Sequence, residues 1–148
     1  MDLVTRDQAI ADFPDLAHMF DIATAARERA YAPYSHYQVG CALLTSDGEV
    51  FAGCNVENAS YGGTICAERS AVVSAVGAGH ISIRACLTIS PATPTGSCCG
   101  ICRQVLSEFG PSMLIFNASS VTELVRRSRM EEMLPGAFDG AALKSRAP

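Results

Sequence analysis

The stretch CAERSAVVSAVGA, residues 66–78, predicts a helix that begins after a glycine-containing loop and ends at Gly77 and Gly79. Thr64 is the expected N-cap of this helix. A short apolar strand, ACLTIS, follows at residues 85–90, and a further helix and strand follow at 99–109 (CGICRQVLSEF) and 113–116 (MLIF). Because helices and strands alternate, the sequence predicts an α/β sandwich in which helices pack on a sheet.

Two further elements precede this stretch. Apolar residues recur every three or four positions between residues 15 and 30, which predicts an amphipathic helix that ends before Pro33. Residues 39–44 and 50–55 flank a Ser-Asp-Gly turn and predict a β-hairpin. Residues 121–134 fit either a helix or a strand followed by a short helical turn.

The composition predicts one folded domain, residues 1–148. Hydrophobic residues make up 49% of the 148 residues and charged residues 18%, a balance that excludes disorder. The net charge of −4 argues against a nucleic acid or an anionic membrane as the partner. The sequence shows no long apolar span and no basic, apolar leader, so we expect a cytoplasmic protein.

The cysteines carry the clearest chemical signal. Seven cysteines, an odd number, predict reduced thiols rather than a disulfide framework. Cys99 and Cys102 lie three residues apart at the start of a predicted helix, and Cys66 starts another. Three thiolates at helix N-termini suit one zinc ion per chain, because the partial positive charge there stabilises thiolates. The Cys-x-x-Cys pair alone is also compatible with a redox dithiol or half of a structural zinc knuckle.

The number of ligands predicts a catalytic rather than a structural zinc site. Structural sites have four protein ligands, whereas catalytic sites keep the fourth position for water. Glu68 follows Cys66 by two residues and can reach toward that position to move protons. Arg69 adjoins it and would offset the thiolate charge by hydrogen-bonding to the sulfurs. Cys-Ala-Glu followed about 30 residues later by Cys-x-x-Cys matches the zinc nucleobase deaminases, with cysteine in place of histidine.

Four separated segments resemble one family, the small homotetrameric cytidine deaminases of pyrimidine salvage. They are APYSHYQVG (32–40), NVENASYGGTICAER (55–69), CCGICRQVLSEFG (98–110) and LPGAF (134–138). The resemblance implies a three-layer α/β/α sandwich with a mixed sheet of about five strands. It also implies zinc-dependent hydrolysis of cytidine and deoxycytidine to uridine and deoxyuridine. In that reaction Cys66, Cys99 and Cys102 hold zinc, Glu68 is the proton shuttle and Arg69 moderates the thiolate charge.

The resemblance further implies substrate-binding roles for Tyr37, Asn55 and Glu57. Asn55 and Glu57 would bind the ribose, since an amide and a carboxylate suit vicinal hydroxyls, although they would equally serve to cap the turn after the hairpin. Blasticidin S deaminases lack a carboxylate at the second of these positions, so Glu57 favours a nucleoside. Tyr37 would stack on the pyrimidine; family members usually carry Phe there, and Tyr keeps the ring face while adding a hydroxyl.

Two other residues concern the metal and the assembly. Cys98 stands where the family has proline, and we assign the metal to Cys99 and Cys102 because Cys98 breaks the two-residue spacing. The resemblance implies that Phe138 reaches a neighbouring subunit's active site and that Tyr61 lies at subunit contacts, which predicts a homotetramer with composite sites. Packing of Phe138 on its own subunit is the alternative. Two rival functions stay open: a zinc-binding module without catalysis, and a deaminase of another aminopyrimidine such as blasticidin S.

Overall fold

The computed structural model describes residues 2–140. Strands and helices alternate along the chain as the sequence predicts, and six strands form one sheet in the order β1-β6-β5-β4-β2-β3. The elements are β1 (Asp2–Thr5), α1 (Arg6–Asp12), α2 (Leu16–Glu28), β2 (Gly40–Thr45), β3 (Val50–Cys54), α3 (Ala67–Gly77), β4 (Ile83–Ser90), α4 (Gly100–Phe109), β5 (Leu114–Ser119), β6 (Leu124–Arg129) and α5 (Met130–Met133).

The sheet is covered by helices on both faces. Along β2, Cys41 and Leu43 pack in a buried cluster with α3 and α4, whereas Ala42 and Leu44 pack in a second cluster with α1 and α2. This division follows from the period of two along a strand, which sends successive side chains to opposite faces. The three-layer α/β/α sandwich is therefore confirmed.

The predicted and observed elements differ in three places. The sheet has six strands rather than about five, because β1 pairs antiparallel with β6. Residues 121–134, for which the sequence allows a helix or a strand followed by a short helical turn, contain strand β6 and then the short helix α5, in agreement with the second interpretation. The predicted N-cap of α3 was wrong: the cap is Cys66, and Thr64 lies two residues earlier in extended conformation.

The sheet topology places the starts of α3 and α4 at the same edge. Strand β2 pairs antiparallel with both β3 and β4, and β4 pairs in parallel with β5, so β3, β4 and β5 all run in one direction. Helix α3 connects β3 to β4, and α4 connects β4 to β5. Both helices therefore begin at the carboxyl ends of these strands, where ligands bind in many α/β folds.

Gly53 allows α3 to approach the sheet closely. A Cβ atom at this position would lie 2.3 Å from the Ala71 nitrogen and 2.4 Å from the Ala67 oxygen. Only glycine leaves room for the helix backbone there, so this residue fixes the distance between β3 and the first two turns of α3.

None of the helices in the described part of the chain has the length and apolar character needed to cross a membrane.

Candidate active site

Three cysteine sulfurs converge where α3 and α4 begin. Cys66 is the N-cap of α3, Cys99 is the N-cap of α4, and Cys102 lies in the first turn of α4. Their sulfur atoms all lie within 4.8 Å of one another, and the sulfurs of Cys66 and Cys99 are 3.8 Å apart. Within residues 2–140, this is the group of cysteine, histidine and carboxylate side chains close enough to share a metal ion.

The surroundings of these three thiols favour the thiolate form of Cys66. The Cys102 thiol hydrogen-bonds to the Cys66 sulfur and, with the Arg69 guanidinium, holds the pKa of Cys66 at about 5. The same hydrogen bond and burial raise the pKa of Cys102. Arg69 Nη2 lies 3.8 Å from the Cys66 sulfur and donates to the Thr64 carbonyl at 3.0 Å. Arg69 is thus placed to offset thiolate charge, as the sequence predicts.

Glu68 lies beside this group on the first turn of α3. Its side chain is buried and lines a cavity of about 390 Å³ that also reaches Cys66 and Cys99. Burial raises the pKa of the Glu68 carboxyl, and the nearby negative charge of Cys66 acts in the same direction. A carboxyl group with a raised pKa exchanges protons closer to neutral pH, which is the property that acid–base catalysis requires.

The cavity brings the predicted metal ligands and the predicted substrate-binding residues together. Its wall includes Tyr37, Asn55 and Glu57 as well as Cys66, Glu68 and Cys99. Its volume lies in the range of pockets that hold small molecules. The fold therefore places predicted site residues between positions 37 and 99 around one cavity, next to Cys102.

Asn55 has a structural role in addition to its place in the cavity. Its Oδ1 accepts from the Val39 amide at 2.8 Å, and its Nδ2 donates to the Tyr37 carbonyl at 2.8 Å. The amide therefore holds the segment that carries Tyr37 against the hairpin. Each of these two atoms can form one further hydrogen bond, so the side chain keeps capacity for a ligand.

Glu57 anchors the adjoining loop through its carboxylate. It accepts hydrogen bonds from the Tyr34 amide at 2.9 Å, from the Ser35 amide at 3.2 Å and from the Ser35 hydroxyl. The Ser35 hydroxyl is the main reason why the pKa of this carboxyl is lowered. His36 follows in the left-handed region at a φ of 56°, and the chain then turns back so that Tyr37 faces the cavity.

Comparison with known proteins identifies the family. A family model described as "Cytidine and deoxycytidylate deaminase zinc-binding region" matches residues 15–118. A cytidine deaminase of Halalkalibacterium halodurans is 42% identical over 116 residues, which cover 78% of this chain and 88% of the relative. A crystal structure of cytidine deaminase from Burkholderia pseudomallei aligns with a TM-score of 0.78 at 44% identity, covering 82% of this chain and 98% of that chain.

The chain belongs to the cytidine and deoxycytidylate deaminase family. The resemblance inferred from four sequence segments is thereby confirmed. A blasticidin-S deaminase from Bacillus cereus is a more distant relative, 25% identical over 125 residues that cover 79% of this chain and 87% of the relative. The cytidine deaminase of Halalkalibacterium halodurans, at 42% identity, shares more of the sequence than this relative does.

The donor set fits the zinc ion in the family's description. Two zinc–sulfur bonds of about 2.3 Å at a tetrahedral angle put their sulfurs about 3.8 Å apart. The separation between the sulfurs of Cys66 and Cys99 equals this value, and Cys102 completes a group of three soft ligands. Cys98 is not a member of the group: its buried sulfur lies 3.5 Å from Asn117 Nδ2.

The structure does not bring Phe138 and Tyr61 into the deaminase cavity. Phe138 is 61% exposed, and its ring borders a separate cavity of about 240 Å³ near α5. Its carbonyl accepts from Gln104 Nε2 at 2.7 Å. Tyr61 is exposed and lies edge-on to Tyr34, with the ring centroids 5.9 Å apart. Both aromatic rings are therefore largely uncovered in the single chain.

Several polar residues of the cavity wall were not predicted from the sequence. Thr88 and Ser90 project from the end of β4, and Gly96 and Ser97 belong to the loop before α4. One sequence signal was present: Cys86, Thr88 and Ser90 alternate with apolar residues, which is typical of a strand with one more polar face.

Proposed function

We propose that this chain is a zinc-dependent deaminase that converts cytidine and deoxycytidine to uridine and deoxyuridine. One observation carries the proposal: two of three clustered cysteines and a buried glutamate line one cavity, whose wall also includes an aromatic ring, an amide and a carboxylate. Membership of the family and the close relatives named cytidine deaminase support the same reaction.

The metal has a defined place in this proposal. Cys66, Cys99 and Cys102 would hold one zinc ion per chain, and zinc in such a site supplies Lewis acidity and activates water for attack. Arg69 stabilises the ligand group by placing a positive charge beside the Cys66 sulfur. The three-ligand set agrees with catalytic rather than structural zinc, which favours an enzyme over a non-catalytic zinc-binding module.

Glu68 moves the protons of the reaction. Hydrolytic deamination adds water at the ring carbon that bears the amino group, and ammonia then leaves. Glu68 accepts one proton from the attacking water and delivers it to the adjacent ring nitrogen. It then accepts the second proton from the hydroxyl group formed at the ring carbon and passes it to the departing amine, so that the product carries a carbonyl group. Its burial beside the sulfur ligands places the carboxyl where these transfers occur, and its raised pKa suits both directions of transfer.

Three further cavity residues bind the nucleoside. The ring of Tyr37 offers a face for stacking on the pyrimidine. Asn55 and Glu57 lie in the same wall, and the free hydrogen-bonding capacity of their side chains suits the vicinal hydroxyls of a ribose. A carboxylate at this place favours a nucleoside over blasticidin S, and it repels an anionic polynucleotide.

We extend the proposal to the assembly and the place of action. The exposed rings of Phe138 and Tyr61 support a homotetramer in which a neighbouring subunit completes each active site.

Residues 1–148 would act as one domain. All seven cysteines lie in the described part of the chain as free thiols, which supports action in the reducing cytoplasm in pyrimidine salvage.

The proposal is tested by following the ultraviolet absorbance of cytidine during incubation with the purified, zinc-loaded protein. We expect the cytidine band to be lost for cytidine and deoxycytidine, and to persist for free cytosine. Blasticidin S serves as the discriminating substrate: faster turnover of blasticidin S than of cytidine would contradict the nucleoside assignment. Absence of turnover with every substrate would favour a zinc-binding module without catalysis.

A further inference from the structure

A group of buried polar side chains lies behind the cavity wall, and the reaction described above does not use it. Thr88 on β4 and Asn117 on β5 are direct partners across the parallel strand pair. Asn117 Nδ2 donates to the Thr88 hydroxyl oxygen at 2.6 Å, and it also lies 3.5 Å from the Cys98 sulfur. Asn117 is completely enclosed, whereas Thr88 reaches the cavity.

The hydrogen bond from Asn117 determines how the Thr88 hydroxyl can bond to other groups. A hydroxyl group has one proton to donate and two lone pairs to accept. Because Asn117 donates into the oxygen, the proton of Thr88 is free to point elsewhere. Within residues 2–140 the Thr88 hydroxyl donates to no protein acceptor, so it is available to an acceptor in the cavity that it lines.

Packing alone does not explain why a polar asparagine occupies the buried position 117. Its Oδ1 is buried and has no hydrogen-bond partner among the described residues. A buried polar atom without a partner destabilises the folded state, and a leucine of similar size would avoid this cost. The amide is explained if it holds the Thr88 hydroxyl in one orientation.

Thr88 lies toward the catalytic end of the cavity. The sulfur of Cys98, which contacts Asn117, belongs to the residue before the ligand Cys99 and also faces the Glu68 carboxyl. The part of a bound nucleoside that lies beside Thr88 is therefore the pyrimidine ring, on which the reaction occurs, rather than the sugar. An aminopyrimidine presents a ring nitrogen and a carbonyl oxygen side by side, and both accept hydrogen bonds.

We propose that Thr88 is a specificity-determining residue of this site, whose hydroxyl donates a hydrogen bond to the acceptor edge of the pyrimidine ring. Asn117 is the positioning residue that keeps the hydroxyl oriented as a donor. This inference rests on the proposed function, since it takes an aminopyrimidine nucleoside as the ligand. It adds a polar contact from the floor of the cavity to the stacking and sugar contacts assigned above.

The test compares Thr88→Val, which has nearly the same shape, with the wild-type protein. We expect the KM for cytidine to rise about tenfold with kcat within about twofold, because an acceptor of the ligand loses its partner. Thr88→Ser keeps the hydroxyl and should restore KM. Ser90→Ala is the matched control: Ser90 lines the same cavity from the same strand and is 6% exposed against 7% for Thr88, but among the described residues no side-chain amide donates to its hydroxyl.

Two further measurements separate this inference from the proposed function. Binding of cytidine to the zinc-loaded protein that carries Glu68→Gln, measured by titration calorimetry, should weaken about tenfold when Thr88→Val is added, whether or not the wild type shows turnover. Asn117→Leu should raise KM in the same direction, without lowering the thermal unfolding temperature. An unchanged KM and affinity in Thr88→Val, or an equal effect of Ser90→Ala, would overturn the inference and leave the deaminase function standing. Absence of both turnover and binding in the wild type would overturn both.

Discussion

Glu68 and Arg69 are consecutive residues that act on different parts of the site. Glu68 is buried and faces the cavity, whereas Arg69 extends from the other side of the helix turn toward the Cys66 sulfur and the Thr64 carbonyl. Neighbouring positions on a helix differ in direction by about 100°, which accounts for this division. Substitutions at the two residues should therefore have separable effects.

Replacing Glu68 with glutamine should abolish catalysis while leaving the fold intact. Gln has the same shape as a protonated glutamate, so the buried position keeps its packing and loses a charge that burial disfavours. Turnover should fall by about 10²–10⁴ or more, because one residue serves several proton transfers. The measurement is the steady-state rate of cytidine deamination together with zinc content per chain.

Glu28→Gln provides the control for this prediction. Glu28 is exposed at the end of α2 on the opposite face of the sheet, and its replacement should leave the rate unchanged. A Glu68→Gln variant whose turnover stays within a few-fold of the wild type would remove Glu68 from the mechanism.

Replacing Arg69 with alanine should shift the pH at which the metal is lost. Metal binding requires deprotonated thiols, and hydrogen bonds from Cys102 and Arg69 hold the pKa of Cys66 at about 5. Without the guanidinium the pKa of Cys66 rises, so protons compete with zinc at a higher pH. During acidification from pH 8 to pH 4, we expect zinc release at a higher pH in Arg69→Ala than in the wild type.

A chelating dye reports zinc release in this experiment. Arg29→Ala is the matched control, because Arg29 is an exposed arginine at the end of α2. Identical release curves for Arg69→Ala and the wild type would show that Arg69 does not stabilise the thiolates.

At the scale of the helices, both N-cap residues are cysteines, and one of them also caps its helix through its side chain. Cys66 and Cys99 stand where Ser, Thr, Asp or Asn usually accept a hydrogen bond from the first turn, and the Cys99 sulfur accepts from the Cys102 amide at 3.5 Å. The same sulfurs belong to the predicted metal group. The Cys99 sulfur is therefore shared between the start of α4 and the predicted metal group, whereas the Cys66 sulfur forms no capping hydrogen bond.

A serine at position 99 separates these roles. Serine is a favourable N-cap but a poor zinc ligand, so Cys99→Ser should keep the helical circular dichroism signal and lose bound zinc. Cys102→Ser should also lose zinc. Cys98→Ser and Cys54→Ser are the controls and should keep about one zinc per chain, since neither residue belongs to the sulfur group. Full zinc content in a variant with serine at positions 66, 99 and 102 would place the metal elsewhere.

The sequence predicted those elements whose side chains follow a clear period. Helix α2, the hairpin of β2 and β3, and the helix–strand alternation from residue 66 onward are all observed with similar bounds. Within each helix the cysteine and glutamate pattern was predictable, because the helix turn fixes the spacing of nearby residues. The convergence of Cys66 with Cys99 and Cys102 depends on the packing of α3 and α4, and the sequence indicated it only through the family resemblance.

Other features depend on long-range contacts, which no local sequence pattern predicts. Strand β1 is short and mostly exposed, and it is ordered by pairing with β6 more than 120 residues later. Residue preference alone predicts Thr64 as the cap, but Thr64 lies in extended conformation and the helix begins only after Cys66. The pairing of Thr88 with Asn117 joins single polar residues of two apolar strands, so it becomes visible only in the folded sheet.

At the scale of the whole molecule, exposed aromatic rings surround the entrance to the cavity. Glu57 and Ser35 contribute both to the main cavity and to a neighbouring one of about 250 Å³ that is bordered by Tyr34 and Tyr61. Exposed apolar groups of this kind mark surfaces that other protein chains cover. The proposed homotetramer would cover this surface with a neighbouring subunit.

Phe138→Ala should impair substrate binding more than stability. If a neighbouring subunit uses this ring, its loss raises the KM for cytidine, whereas a ring that is 61% exposed contributes little to the fold of its own chain. Val121→Ala is the control, because Val121 is 63% exposed at a different place. Kinetics, thermal unfolding and sedimentation equilibrium are the measurements; a fully active monomer at assay concentration would exclude the composite site.

The position of the three sulfurs along the chain has a consequence for metal depletion. Cys66 and Cys99 are 33 residues apart, so an ion bound to both acts as a crosslink that closes a loop of the chain. A crosslink around a loop of this length restricts the unfolded state by about 3 to 4 kcal/mol. A chelator should therefore lower the midpoint of thermal unfolding as well as stop turnover. The resistance of this protein to heat would then depend on how much metal its surroundings supply.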